Sequence, residues 1–370
     1  EELRGETVAV TQSLNQITGQ TMQKCLATVG MTIDDVSLLR MAHTGEATQA
    51  IASGQVTGGI SATFRLTQLL LNEGPGSYNI LCSGWESNPS ISSVWYATGD
   101  WLAANEDMAL AINIASLMSA RWAQESKEAW IDYAVENVGA DRLTPEAAAM
   151  DYDRLVGELD MWPVNGSLDR ELMDTTLQTS FDFEAIPQRY EVDDLVTFEY
   201  QNAALGILGT AERTYFGPSP VSQEEAIADL KAKVEGQTVR IGTSAYPNAS
   251  ITGAFKTADI LREEFGVNVD FSVQDSDPLV AATIAGEVDV GQLSLSGVAR
   301  AVAVGADFVA FGGDDQANSF LVAAKAPITS MEELRGETVA VTQSLNQITG
   351  QTMQKCLATV GMTIDDVSLL

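Results

Sequence analysis

The chain has 370 residues, 45% of them hydrophobic, with thirty glycines and ten prolines; it can bury one large core or two medium ones, and it is not disordered or fibrous. Fifty-one acidic residues stand against twenty basic ones, a net charge of −31, which repels nucleic acid and anionic membranes and argues against nucleic acid as a partner. The acids are scattered, and only seven basic residues are lysine, so they read as a solvated surface suited to high salt before they read as a cation site.

The first and last elements are the same sequence. Residues Glu1–Leu39 recur unchanged as Glu332–Leu370, and divergent evolution does not leave 39 identical positions. The chain is therefore a window on identical tandem units, a permutant with a duplicated segment, or a repeating assembly with one overlap. One unit is about 331 residues long, and without one copy (five acids, two bases) its net charge is −28.

In chain order, each copy predicts a strand, a helix and the start of a second strand, at Thr338–Thr342, Thr349–Val360 and Val367 onward in the second copy. The last of these continues as Arg40–Met41 after the first copy. A helix at Glu46–Ala52, a strand at Gly58–Ala62, a helix at Leu66–Asn72 and a strand at Asn79–Cys82 follow. Ser92–Ala97 reads as a crossing segment. Ala103–Tyr215 is mostly helical, including Asp107–Val138 and Thr144–Leu159. The linker Gly217–Gly236 ends in a helix opened by a capping box at Ser222 and Glu225. Then come a strand from Thr238 to Thr243, a helix at Ala254–Phe265, a strand at Val267–Val273 and a helix at Pro278–Ala285. A strand at Val288–Leu293, a helix near Gly297–Val304, a strand at Phe308–Gly312 and a crossing at Ala326–Met331 complete the pattern.

This alternation implies parallel sheets with helices on both faces. The two halves also share sequence: Ala282–Gly291 lies over Ala50–Gly59 without a gap, Gly286 on Gly54 and Val288 on Val56. The expected fold is α/β and two-lobed, with parallel-rich sheets flanked by helices, in a circularly shifted frame. The expected divisions are 1–91 (second lobe), 92–216 (crossing strand and helical part of the first lobe), 217–236 (linker and helix), 237–331 (N-terminal part of the first lobe) and 332–370 (duplicate of 1–39).

Several runs carry a family resemblance: Val239-Arg-Ile-Gly, Ala285-Gly-Glu-Val-Asp289, Leu334-Arg-Gly-Glu-Thr-Val-Ala-Val341 and Gly361-Met-Thr-Ile-Asp-Asp-Val367. Val94–Asn105 and Trp162-Pro-Val-Asn-Gly166 add to it. The unit resembles the nitrate/sulfonate/taurine branch of ABC importer substrate-binding proteins, which includes binders of thiamine-pyrimidine precursors. The resemblance implies a type II periplasmic-binding-protein-like fold, a periplasmic or extracellular location, and a permease with its ATPase as partners. Ala62-Thr-Phe-Arg65 departs from it, since relatives often carry an acidic residue and a proline there.

In open α/β sheets, ligands sit beyond the carboxyl ends of the strands, where helix N-termini offer N–H groups. The first lobe contributes Thr243, Ser244, Tyr246, Asn248, Gln274, Ser276, Ser294 and Ser296 as candidate ligand-binding residues, with Gly312–Asp315 closing the set. The second contributes Gln12, Ser13, Gln16 and Thr18 (again as Gln343, Ser344, Gln347 and Thr349), together with Thr44, Ser61, Thr63, Arg65 and Trp85. Gln12–Gly19 is the most suggestive, because a strand ends and a helix begins among polar side chains that suit an oxyanion; the plainer reading of Ser13 or Thr18 is an N-cap. Trp95 and Trp162 read as core, and Asp314-Asp315 as a turn cap or a site for a cation.

His43 is the only histidine, which leaves no Ser/His/Asp set and argues against an enzyme. No phosphate loop, nucleophile elbow, zinc spacing or cofactor motif occurs. Cys25 and Cys356 are equivalent in the repeat, leaving Cys82 as the other distinct site, and their pairing stays open. No apolar run reaches the roughly 18 residues of a spanning helix, and no targeting segment is visible in the sequence, whose ends read as trimmed. The expected function is capture of a small anionic solute for an ABC importer; the alternative is structural, with units self-associating through the repeated segment into a filament.

Overall fold

The computed structural model describes residues 7–9, 37–39, 44–56, 58–211, 224–244, 248–341, 345 and 348–370. Along the chain the strands are β1 (Thr7–Ala9), β2 (Ser37–Leu39), β3 (Gly58–Ala62), β4 (Tyr78–Ser83), β5 (Val94–Thr98) and β6 (Thr238–Thr243). They continue with β7 (Asn268–Val273), β8 (Val290–Leu293), β9 (Phe308–Gly313), β10 (Phe320–Lys325), β11 (Thr338–Ala340) and β12 (Ser368–Leu369). The chain divides into unit 1 (Glu1–Pro89, Gln178–Pro187, Asn318–Leu370) and unit 2 (Ser90–Leu177, Gln188–Ala317).

Each unit holds a five-stranded sheet, β12-β11-β3-β10-β4 in unit 1 and β7-β6-β8-β5-β9 in unit 2. In unit 2, β6 runs parallel to β7 and β8, and β5 runs antiparallel to β8 and β9. Unit 1 repeats the plan: β11 is parallel to β12 and β3, and β10 is antiparallel to β3 and β4. Both sheets thus carry one antiparallel strand in fourth place, and in each case it follows directly on a strand of the other unit (β4 before β5, β9 before β10). This is the type II periplasmic-binding-protein-like arrangement, with helices between most of the successive strands, though β9 runs on to β10 without one.

Phe320–Lys325 was not among the predicted strands, and the segment expected to cross, Ala326–Met331, lies beyond it. The boundary between the units falls at 317/318 instead. The strand Phe-Leu-Val-Ala-Ala-Lys is buried through its four central residues, so it lacks the alternation that marks a half-exposed strand. Gln178–Pro187 belongs to unit 1 although the Arg170–Asp182 helix runs into it from unit 2.

The sequence similarity between the halves is a repeated turn. In unit 2, Gly286 takes φ +71°, and the N–H groups of Glu287 and Val288 both donate to Ala282 O. In unit 1, Gly54 takes φ +71°, and Gln55 and Val56 donate to Ala50 O. The glycine supplies the left-handed step that ends each helix. The runs carrying the family resemblance close these turns. Arg240 in β6 grips Asp289 through Nε (3.0 Å) and Nη2, and its Nη1 donates to Gly286 O (2.6 Å). In unit 1, Arg335 ahead of β11 pairs with Asp366 ahead of β12, and the Asp366 carboxylate accepts Thr363 N (2.8 Å) in a capping box.

Unit 1 packs Leu321, Val322, Val339, Met353 and Leu357 under its sheet. Cys356 is buried there and disulfide-bonded; the side chains of Cys25 and Cys82 lie outside the described residues. Unit 2 packs Trp95, Ile112, Ile114, Ile241 and Phe311. A second cluster joins Trp130, Tyr152, Trp162 and Ala249, with the Trp130 and Tyr152 rings edge-on at 5.3 Å. Burying a ring of that size is worth about 4–6 kcal/mol. Trp95 and Trp162 are core residues, as expected. Among the described residues no helix is long and apolar enough to cross a membrane.

The two copies of the repeat have different surroundings. The second supplies β11 and β12 to the unit 1 sheet, where Val339 and Ala340 pair with Gly58 and Gly59. The first forms β1 and β2, which among the described residues pair with each other in the corresponding register, Thr7 with Ser37 as Thr338 with Ser368. One slot in the sheet is filled once.

Candidate functional site

The carboxyl ends of β6, β8 and β9 in unit 2 bring polar side chains together. Thr243 is fully buried, and its hydroxyl donates to Gln292 Oε1. Gln292 Nε2 donates to Ser93 Oγ (3.2 Å) and to Asp314 Oδ2. Ser93 Oγ also accepts the N–H of Asp315 (3.2 Å), and Asp315 O accepts Ser92 N (3.0 Å) and Ser93 N (3.1 Å). Asp314 and Asp315 are 5% and 6% exposed, which decides their chemistry. Burial raises Asp314 well above the usual carboxylate range, and the charge of Asp315 adds to the rise. Burial pushes Asp315 up to about 7, opposed by Ser93 and the nearby Trp162 N–H. The pair therefore keeps a proton at neutral pH and can donate a hydrogen bond or, when ionised, meet a cation.

Around it, Ser244 N donates to Gln292 O (3.2 Å), and Gln274 N to Thr243 O (3.0 Å), while Gln274 Nε2 donates to Ser272 Oγ (3.2 Å). Ser294 caps the Leu295–Ala303 helix by accepting Gly297 N and lies 3.3 Å from Ser296 Oγ. Asn248 caps the short turn after β6 by accepting Ser250 N (2.7 Å). Ser276 opens the Ser276–Ile284 helix. Beside Asp314 a hollow of water size is lined by Asn113, Ser116, Trp162, Ser167 and Gly313.

Unit 1 gathers its candidates at the ends of β3 and β4. Ser61 Oγ and Thr48 Oγ1 are 2.9 Å apart and buried. Thr63 begins the Thr63–Glu73 helix, and Arg65 stacks over Phe64 at 5.3 Å in its first turn. Trp85 is half-buried against the core. Thr349 is buried in the Ile348–Ala358 helix, where Thr352 Oγ1 accepts Asn88 Nδ2 (3.3 Å) and Asn318 Nδ2 (3.0 Å). Gln12, Ser13, Gln16, Thr18, His43, Tyr246, Gln343, Ser344 and Gln347 lie outside the described residues, as does the side chain of Thr44.

Gln292 and Ser93 were absent from the candidates drawn from sequence. The one available signal was a glutamine inside the otherwise apolar strand Val-Gly-Gln-Leu. Among the described residues no cluster of three or more His, Cys, Asp or Glu side chains could hold a metal ion.

No protein-family model and no curated protein matches the chain. Among solved structures it is similar to the Escherichia coli murein tripeptide binding protein MppA, at 13% identity over 79% of this chain and 53% of that one, TM-score 0.37. It is also similar to the agropinic-acid-bound PBP AgaA of A. tumefacien R10, at 13% identity over 87% and 62%, TM-score 0.37. A third is the zinc-bound ligand binding component of an ABC-type import system from Staphylococcus aureus, at 7% identity over 95% and 72%, TM-score 0.34. The chain spans about half the length of the first structures it matches. None of the three is named for nitrate, a sulfonate or taurine, and overlaps this partial add nothing to the strand order described above.

Proposed function

We propose that the chain captures a small solute outside the cytoplasm and presents it to the permease and ATPase of an ABC importer. The observation that carries this is the doubled sheet: two units with one strand order, each taking its antiparallel strand from chain that has just left the other. Polar side chains collect at the carboxyl ends of the strands in both units, where α/β sheets hold ligands. Within this reading the solute is an anion of the sulfonate, nitrate or carboxylate kind. Gln12–Gly19 and its second copy would hold it by helix N–H groups, a reading that rests on the sequence pattern. The filament alternative gains no support from the similar structures.

The test is a thermal-shift and calorimetric screen of sulfonates, nitrate, carboxylates, amino acids and peptides on the full chain. One solute is expected to stabilise it, by about 2.7 kcal/mol at a hundredfold excess over Kd. The net charge of −31 opposes the approach of an anion, so its affinity rises with salt, whereas a cation shows the reverse. Turnover of any of these compounds, abolished by His43→Ala, would replace binding by catalysis; no stabilisation by any solute would remove the capture reading.

A further inference from the structure

We propose that the turn from Ala62 to Arg65 in unit 1 is an oxyanion subsite that takes a carboxylate, sulfonate or phosphate group of the solute; this rests on the solute-capture reading and names the chemistry of one of its contacts. The helix Thr63–Glu73 starts directly at the carboxyl end of β3. Its N-cap is Ala62, in extended backbone at φ −117° and ψ 154°, and no side chain caps it. An alanine cannot accept from the first-turn N–H groups, which no helix satisfies internally. The adjacent Ser61 hydroxyl is engaged with Thr48 Oγ1 at 2.9 Å, and Thr63 N donates to Ser319 O at 3.1 Å.

Two further observations point to a ligand. Thr63 is 4% exposed, and its Oγ1 is buried with no hydrogen-bond partner. A buried hydroxyl left unpaired is a net loss to folding, and this one sits on the first residue of the helix, where an accepting oxygen would also meet the first-turn N–H groups. Second, the first turn holds no acidic residue and carries Arg65 instead. A cation at the positive end of the helix dipole is unfavourable, and a bound anion reverses the sign of that interaction. Hydroxyl, N–H groups and guanidinium together make a donor set for oxygen with negative charge.

The experiment titrates the full chain with sodium acetate, sodium methanesulfonate and inorganic phosphate, at ionic strength matched with sodium chloride. Wild type, Thr63→Val and Arg65→Gln are compared by calorimetry and thermal melting. At least one oxyanion is expected to bind wild type, with affinity falling about tenfold or more in each variant, the loss of a hydrogen bond to a charged group. The ligand-free Thr63→Val chain is expected to melt at or above the wild-type temperature, because valine keeps the shape and removes the unpaired hydroxyl. A lower melting temperature for that variant would show that the hydroxyl holds the fold and overturn the proposal. So would an oxyanion whose affinity neither substitution changes. If the solute screen finds a neutral or cationic ligand while all three oxyanions fail, the subsite is wrong and solute capture stands. If nothing binds in either experiment, both fall.

Discussion

Asp314 and Asp315 are adjacent in sequence and read there as a turn cap or a site for a cation. Their burial makes them a proton-holding pair, because two neighbouring carboxyls cannot both ionise away from water. Folding therefore favours their protonated forms. For a group raised in the folded state, the stabilisation is complete below the unfolded value of 3.8 and is lost as pH rises through the folded one, about 7 for Asp315. Stability should fall across that window, by about 1.4 kcal/mol per pH unit for each proton involved. The double variant Asp314→Asn, Asp315→Asn keeps an acceptor for Gln292 and should melt above wild type at pH 8, with a flatter profile from pH 4 to 8. Identical profiles would mean that the pair ionises freely in the folded chain. Arg121 is a second residue whose role sequence could not give. In its helix it looks like an ordinary surface cation, yet it is buried and donates to Val164 O (3.0 Å), Leu208 O (3.4 Å) and Gly209 O (2.6 Å). It thereby closes the carboxyl end of the Glu199–Leu208 helix, where a positive charge is favoured.

At the scale of elements, turn chemistry made most of the fold readable. Gly54 and Gly286 mark helix ends, Thr144-Pro145 starts a helix with Thr144 Oγ1 accepting Ala147 N, and the intervening strands are short and apolar. What periodicity could not reveal was β10, buried through its centre, or which sheet it joins, since its partners β3 and β4 are remote in sequence. The candidate site was legible as a set of strand ends, but not as a network: Gln292 was hidden inside a strand, and Thr243 is committed to it. Close packing within the unit 1 sheet yields a prediction. A Cβ on Gly59 would lie 2.5 Å from the backbone of Ala340 in β11, whereas Gly54, at φ +71°, has open space. Gly59→Ala should cost about 1–3 kcal/mol from crowding the strand pair, and Gly54→Ala about 1–2 kcal/mol from backbone strain alone. Denaturant unfolding of both variants ranks them, and a smaller loss at Gly59 would mean that β3 and β11 can part at little cost.

At the scale of the molecule, two identical segments have claims on one slot: the second reaches it from β10, and the first is joined directly to the helix that precedes β3. The chains 40–370 and 1–331 are circular permutants of each other, and each retains one copy. Both should fold with melting temperatures near that of the full chain, while 40–331, which lacks any copy, should lose the cooperative transition of unit 1. A folded unit 1 in 40–331 would show that β11 and β12 are dispensable. The pairing that makes unit 1 also spans most of the chain. Asn88 Nδ2 reaches Thr352 Oγ1 across 264 positions, and Lys325 Nζ reaches Ala52 O across 273. During synthesis, β3 and β4 leave the ribosome long before β10, and at 5–20 residues per second the wait is roughly 10–50 s. Throughout it their apolar faces have no sheet to join, which makes the nascent chain a client for holding chaperones, and the first copy of the repeat, made ahead of them, is the nearest segment able to pair with β3 in the interval.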